Sequence, residues 1–96
     1  MYKFIYSREK DQKLRQQRGI SFDEIIAAIE DGCIIDILSH PQQDSYPNQN
    51  IYLLDIDGYV WLVPYIKDKE NIFLKTAFPS RKHTKQYKKQ DLKDDI

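Results

Sequence analysis

The chain has 96 residues, 41% of them apolar and 31% charged, the balance expected of one globular domain with one modest core. Fifteen basic and fifteen acidic residues cancel, and no apolar run approaches the roughly 20 residues of a membrane span. The start, MYKFIYSREKDQK, turns charged at once, so no secretory segment is expected there and the cytoplasm is the expected compartment. Cys33 is alone, which excludes an internal disulfide and a cysteine-based zinc site, and two histidines, His40 and His83, argue against a dedicated metal cage.

The charge is unevenly spread. From Gly19 to Ile66 there is no Lys or Arg, and Asp23, Glu24, Glu30, Asp31, Asp36, Asp44, Asp55 and Asp57 fall in that stretch. Every basic residue lies before or after it. If the two ends of the chain meet in space, one side is cationic and suits a polyanion, and the other is anionic and suits a basic protein. Plain solvation of the surface is the alternative.

Tyr2 to Tyr6, aromatic and β-branched, predicts a first strand. Ser7 offers an N-cap for a helix closed by Gly19; its only large aliphatic residue is Leu14, and Arg8, Arg15 and Arg18 share one broad face. Ser21-Phe22-Asp23-Glu24 is a capping box, with Ile20 placed to staple onto Ile25. Phe22, Ile25, Ile26 and Ile29 then make a helical apolar stripe that ends at Gly32 and should cover a sheet. Cys33 to Leu38 reads as a strand, and Ser39 to Asn50 as a long loop. Ile51–Ile56 and Tyr59–Ile66 form a hairpin about Asp57-Gly58, a type I′ signal. Pro64 cannot donate a ladder bond and should disturb the end of that second arm.

After a polar turn at Lys67–Glu70, Ile72, Leu74, Thr76 and Phe78 alternate with Phe73, Lys75 and Ala77 in a strand stopped by Pro79, and a short helix restarts at Ser80. Asp91 to Ile96 reads as a tail, which leaves one domain over residues 1–90. Strand, two helices, four strands and a short helix predict an α+β fold: an antiparallel sheet with helices on one face. Lys75, Arg81, Lys82, Lys85, Lys88 and Lys89 fall in the last segment with no acid among them, a place suited to a phosphate.

Gly19-Ile20-Ser21-Phe22-Asp23-Glu24 and Ser80-Arg81-Lys82, with Thr84 following, resemble the BrnT family of bacterial toxins, and the resemblance runs from about Tyr2 to Tyr87. It implies a RelE-like fold and a toxin of a type II toxin–antitoxin pair that cleaves RNA, above all mRNA, and so inhibits translation. The partners it implies are an antitoxin with a ribbon-helix-helix DNA-binding domain and, through that antitoxin, operator DNA. The chain departs from the family pattern in having Arg18 where many members have His before the glycine. It also has His83 where many have Ala, and Tyr87 only six residues after Arg81. A non-catalytic module that binds nucleic acid or protein, and a relic that binds only its antitoxin, stand beside this reading.

RNA cleavage without a metal needs a base for the 2′-hydroxyl, an acid for the 5′-oxygen, and positive charge for the phosphorane. Arg81 is always charged and grips two phosphate oxygens; Lys75 can share that work. His83 is suited to move a proton near neutrality, and Tyr87, one helical turn on, to donate one or to stack on a base. Lys82, Lys85, Arg15 and Arg18 are the candidate substrate-binding cations. His40 is a weaker candidate base. Tyr59, Trp61, Tyr65 and Phe73 form either an aromatic platform for bases or a layer of sheet packing. No Gly-rich phosphate loop, Ser-His-Asp order or paired metal ligands occurs, so neither cofactor nor metal is implied.

Overall fold

A computed structural model describes residues 2–39 and 41–94, the last six of these by backbone alone. Ser7 caps α1 (Arg8–Arg18) through a bond from the amide of Lys10, and Gly19 closes it in the left-handed conformation, φ 69°. The Ser21 hydroxyl accepts the Glu24 amide at 3.1 Å and starts α2 (Phe22–Glu30). The amide of Phe22 donates to the Asp11 carboxylate of α1 at 2.8 Å, a contact not expected from local pattern. The two helices are thereby joined end to side.

The strands are β1 (Lys3–Ile5), β2 (Ile34–Ser39), β3 (Gln49–Ile56), β4 (Tyr59–Asp68), β5 (Asn71–Leu74) and β6 (Phe78–Pro79). Together they make a six-stranded α+β sheet in the order β1-β5-β4-β3-β2, with β6 continuing beyond β5 along β4. β2 to β5 pair antiparallel in sequence order, as the expected antiparallel sheet requires. The β3–β4 turn has positive φ at both Asp57 (54°) and Gly58 (83°), the type I′ geometry. β1 instead pairs in parallel with β5, Phe4 opposite Ile72, so the two basic ends of the chain do meet.

Phe22 and Ile25 are fully buried against Tyr52, Leu54, Val63, Tyr65, Ile72 and Leu74, and Leu14 and Ile20 close the same core. Each such side chain contributes about 1.5–3 kcal/mol by leaving water. The other face of β3 and β4 buries Leu53, Val60 and Leu62, covered by Phe78 and by Tyr87 of α3 (Arg81–Asp94). The expectation of helices on one face is therefore corrected: α1 and α2 cover one side and α3 the other. The last helix also runs to Asp94, through the first residues of the expected tail. Nothing after Ser80 is Gly or Pro, and good helix formers fill the run.

The strand expected to run unbroken to Phe78 is split, and Pro64 is the cause. In an antiparallel ladder the nitrogen and oxygen of one residue address the same neighbour. The Pro64 oxygen accepts the Lys75 amide at 2.9 Å, so its nitrogen, which carries no hydrogen, faces the same segment. β5 ends with Leu74 opposite Tyr65, and β6 resumes with Phe78 opposite Leu62: four residues advance against three. One residue too many inverts the alternation. Ala77 joins Ile72 and Leu74 under the two helices, and Phe78 turns to the opposite face. The disturbance predicted at Pro64 thus falls on its neighbour, while β4 itself runs on to Asp68.

Candidate functional site

The start of α3 is fastened to the hairpin. The Ser80 amide donates to the Val60 carbonyl (2.8 Å), and Thr84, buried one turn later, accepts the Val60 amide through its hydroxyl at 2.9 Å. That hydroxyl donates in turn to the Ser80 carbonyl at 2.6 Å. Ser80 Oγ accepts the His83 amide (3.2 Å) and lies 2.8 Å from His83 Nδ1. The imidazole is held by one nitrogen, and its Nε2 is left for proton exchange. When the serine hydroxyl accepts from Nδ1, Nε2 is left as the acceptor of the neutral ring, and the same bond persists when the ring is protonated.

His83, Gln86 and Tyr87 form one wall of a cleft of about 270 Å³. Ile35, Asp36 and Leu38 of β2 and Leu53 of β3 form the other. The expected pair, His83 and Tyr87, is thus brought to one place. Asp36 was not singled out by sequence. It follows an irregularity of β2 register between Ile34 and Asp36, and its Oδ1 accepts the Ile37 amide at 2.8 Å.

Lys75 and Arg18 lie elsewhere. They line a furrow of about 460 Å³ with Lys10, Lys13 and Gln17 of α1 and with Thr76, Ala77 and Phe78 of the strand break. Arg81, Lys82 and Lys85 are exposed on α3. Arg15 is held by Asp11, Nε to Oδ2 2.9 Å, and lines a shallow depression with Tyr6 and Arg8, apart from Arg18. The eight candidate residues therefore divide between a cleft, a furrow and open surface rather than converging on one point. Phe78 relates the first two, lining the furrow and packing in the same cluster as Tyr87.

The aromatic residues divide as well. Tyr65 is buried and stacked on Tyr52 at 4.0 Å, and Trp61 packs on the core beneath the helices. Tyr59 and Phe73 are each 38% exposed. Burial beside Tyr65 raises the Tyr52 phenol well above its ordinary value. Tyr6 is raised too, by donating to Asp23 Oδ1 at 2.7 Å. His40 lies outside the described residues. Among the described residues no three His, Cys, Asp or Glu side chains gather as metal ligands, and no helix is long and apolar enough to cross a membrane. Comparison of the chain with models of protein families, with curated proteins and with solved structures finds no match.

Proposed function

We propose that this chain is a toxin of the kind its resemblance to the BrnT family implies: a cytoplasmic endoribonuclease that cleaves mRNA without a metal and stops translation. The observation that carries the reading is the pairing of His83 and Tyr87 on one wall of a cleft, with Ser80 holding the imidazole by Nδ1. In the reaction, His83 Nε2 takes the proton of the 2′-hydroxyl and the 2′-oxygen bonds to phosphorus. The bond to the 5′-oxygen breaks, and the Tyr87 phenol supplies that oxygen with a proton. The products are a 2′,3′-cyclic phosphate and a 5′-hydroxyl, and solvent returns the proton from His83 to Tyr87. Arg81, on the first turn of the same helix, is the cation assigned to the phosphorane charge. A ribbon-helix-helix antitoxin would silence the toxin by covering its basic surface, and would carry the pair to operator DNA.

Induced expression in bacteria tests this, with wild type beside Arg81→Ala, His83→Ala and Tyr87→Phe at equal levels of folded protein. Arrest of growth and protein synthesis by the wild type, relieved by His83→Ala and Arg81→Ala, is expected. General acid–base groups contribute about 10²–10⁴ in rate, so the His83 variant should lose at least that order of RNA cleavage in purified form. Arrest by all four chains would keep a toxin and remove the chemistry from this cleft. No arrest by any would leave a binding module or an inactive relic.

A further inference from the structure

The furrow beside α1 is longer than one depression. A second hollow, of about 430 Å³, is lined by Lys10, Phe73 and Lys75 among others. Lys10 and Lys75 line both hollows, so the two adjoin and together make a track. Along it stand Arg18 and Lys13, then Lys10 and Lys75, then the open ring of Phe73. No acidic side chain lines either hollow. Among the described residues the one ion pair is Arg15 with Asp11, so these four cations carry no carboxylate partner there. From Lys10 to Arg18 the helix advances roughly 12 Å at 1.5 Å per residue, which spaces the charges along a line rather than about a point.

We propose that this track holds single-stranded RNA, with phosphates on Lys10, Lys13, Arg18 and Lys75 and an unstacked base on Phe73. It rests on RNA being the substrate and adds a strand-holding site distinct from the His83–Tyr87 cleft. A line of cations ending at an exposed aromatic ring matches a polymer that carries one charge and one flat base per unit. Duplex RNA offers no free base face to such a ring. An acidic peptide would use the cations and leave the ring without a role.

The test is binding of a short, fully 2′-O-methylated oligoribonucleotide, which cannot be cleaved, followed by fluorescence anisotropy from low to moderate salt. Four phosphate contacts predict a slope of log affinity against log salt of about −3, at roughly −0.7 per contact for a single strand. Lys10→Gln with Lys75→Gln should cut that slope by about half. Phe73→Ala should weaken binding roughly five- to a hundredfold with the slope unchanged, and Phe73→Tyr should restore it. Thermal melts confirm that each variant is folded.

The proposal is overturned if the track variants bind as wild type, or if the wild type does not bind. It is also overturned if polyglutamate binds as tightly and Phe73→Ala is silent, which would make the furrow a protein-docking surface. Binding through the track by a chain that causes no growth arrest would sink the toxin reading alone. Arrest with no binding at the track would sink the track alone.

Discussion

Asp11 sets the relation of two helices from a single buried position. Its Oδ1 takes the Phe22 amide and its Oδ2 the Arg15 guanidinium. Asp11→Ala leaves the first amide of α2 without a partner in a buried place and should cost about 1–3 kcal/mol in urea unfolding. Arg15 is largely exposed, so Arg15→Ala should cost under about 1 kcal/mol; an equal loss would show that the ion pair, not the cap, holds the helices. Thr84 has a similar place at the other face, where Val60 is fully buried and depends on its hydroxyl. Thr84→Val should destabilise by about 1–3 kcal/mol and Thr84→Ser by much less, with the variants compared by thermal melting. Neither structural role announces itself in sequence, because an Asp in the first turn of a helix and a Thr one turn into another are ordinary surface choices until the partner amide is known.

Among the elements, those whose signals are local were legible. Ser7 with Gly19, Ser21 with the Phe22–Ile25 stripe, and Asp57-Gly58 each fix their geometry within a few residues, and each element forms within about two residues of its expected bounds. What escaped was set by contacts distant in sequence. The parallel pairing of β1 with β5 leaves no mark in either strand, and the inversion between Ala77 and Phe78 is caused by a proline on the neighbouring strand. The helical spacing of His83 and Tyr87 was readable and did bring them together. The separation of Arg18 from that pair follows from α1 and α3 lying on opposite faces of the sheet, which was not readable. Pro64→Val would place a donor opposite the break. Amide exchange at Lys75, Thr76 and Ala77 should slow as the segment is drawn into the ladder, and unchanged exchange would show that Ala77 and Phe78 packing alone keeps it open.

For the molecule as a whole, two phenols and one lysine bear on the alkaline limit; Lys67 is raised by its hydrogen bond to the Tyr2 hydroxyl. Tyr52 is raised by burial and Tyr6 by its bond to Asp23, both from an ordinary value of 10.0. Above about pH 10 the unfolded chain releases protons that the fold retains, so the unfolded state binds fewer and stability falls as pH rises. Below that point the contribution is complete and flat. Denaturant midpoints measured from pH 8 to 11 should therefore decline in the upper part of the range, and Tyr52→Phe should shallow the decline.

The union of β1 with β5 also fixes an order in time. Lys3 pairs with Asn71, so most of the chain must leave the ribosome before the first strand finds its place. Closing so long a loop is slow beside forming the caps and the hairpin. The walls of the furrow, Lys10 and Lys13 on one side and Lys75 and Thr76 on the other, come from opposite ends of the chain and meet only at that last step. A nascent chain interrupted before β5 would hold one wall of the furrow and lack the other.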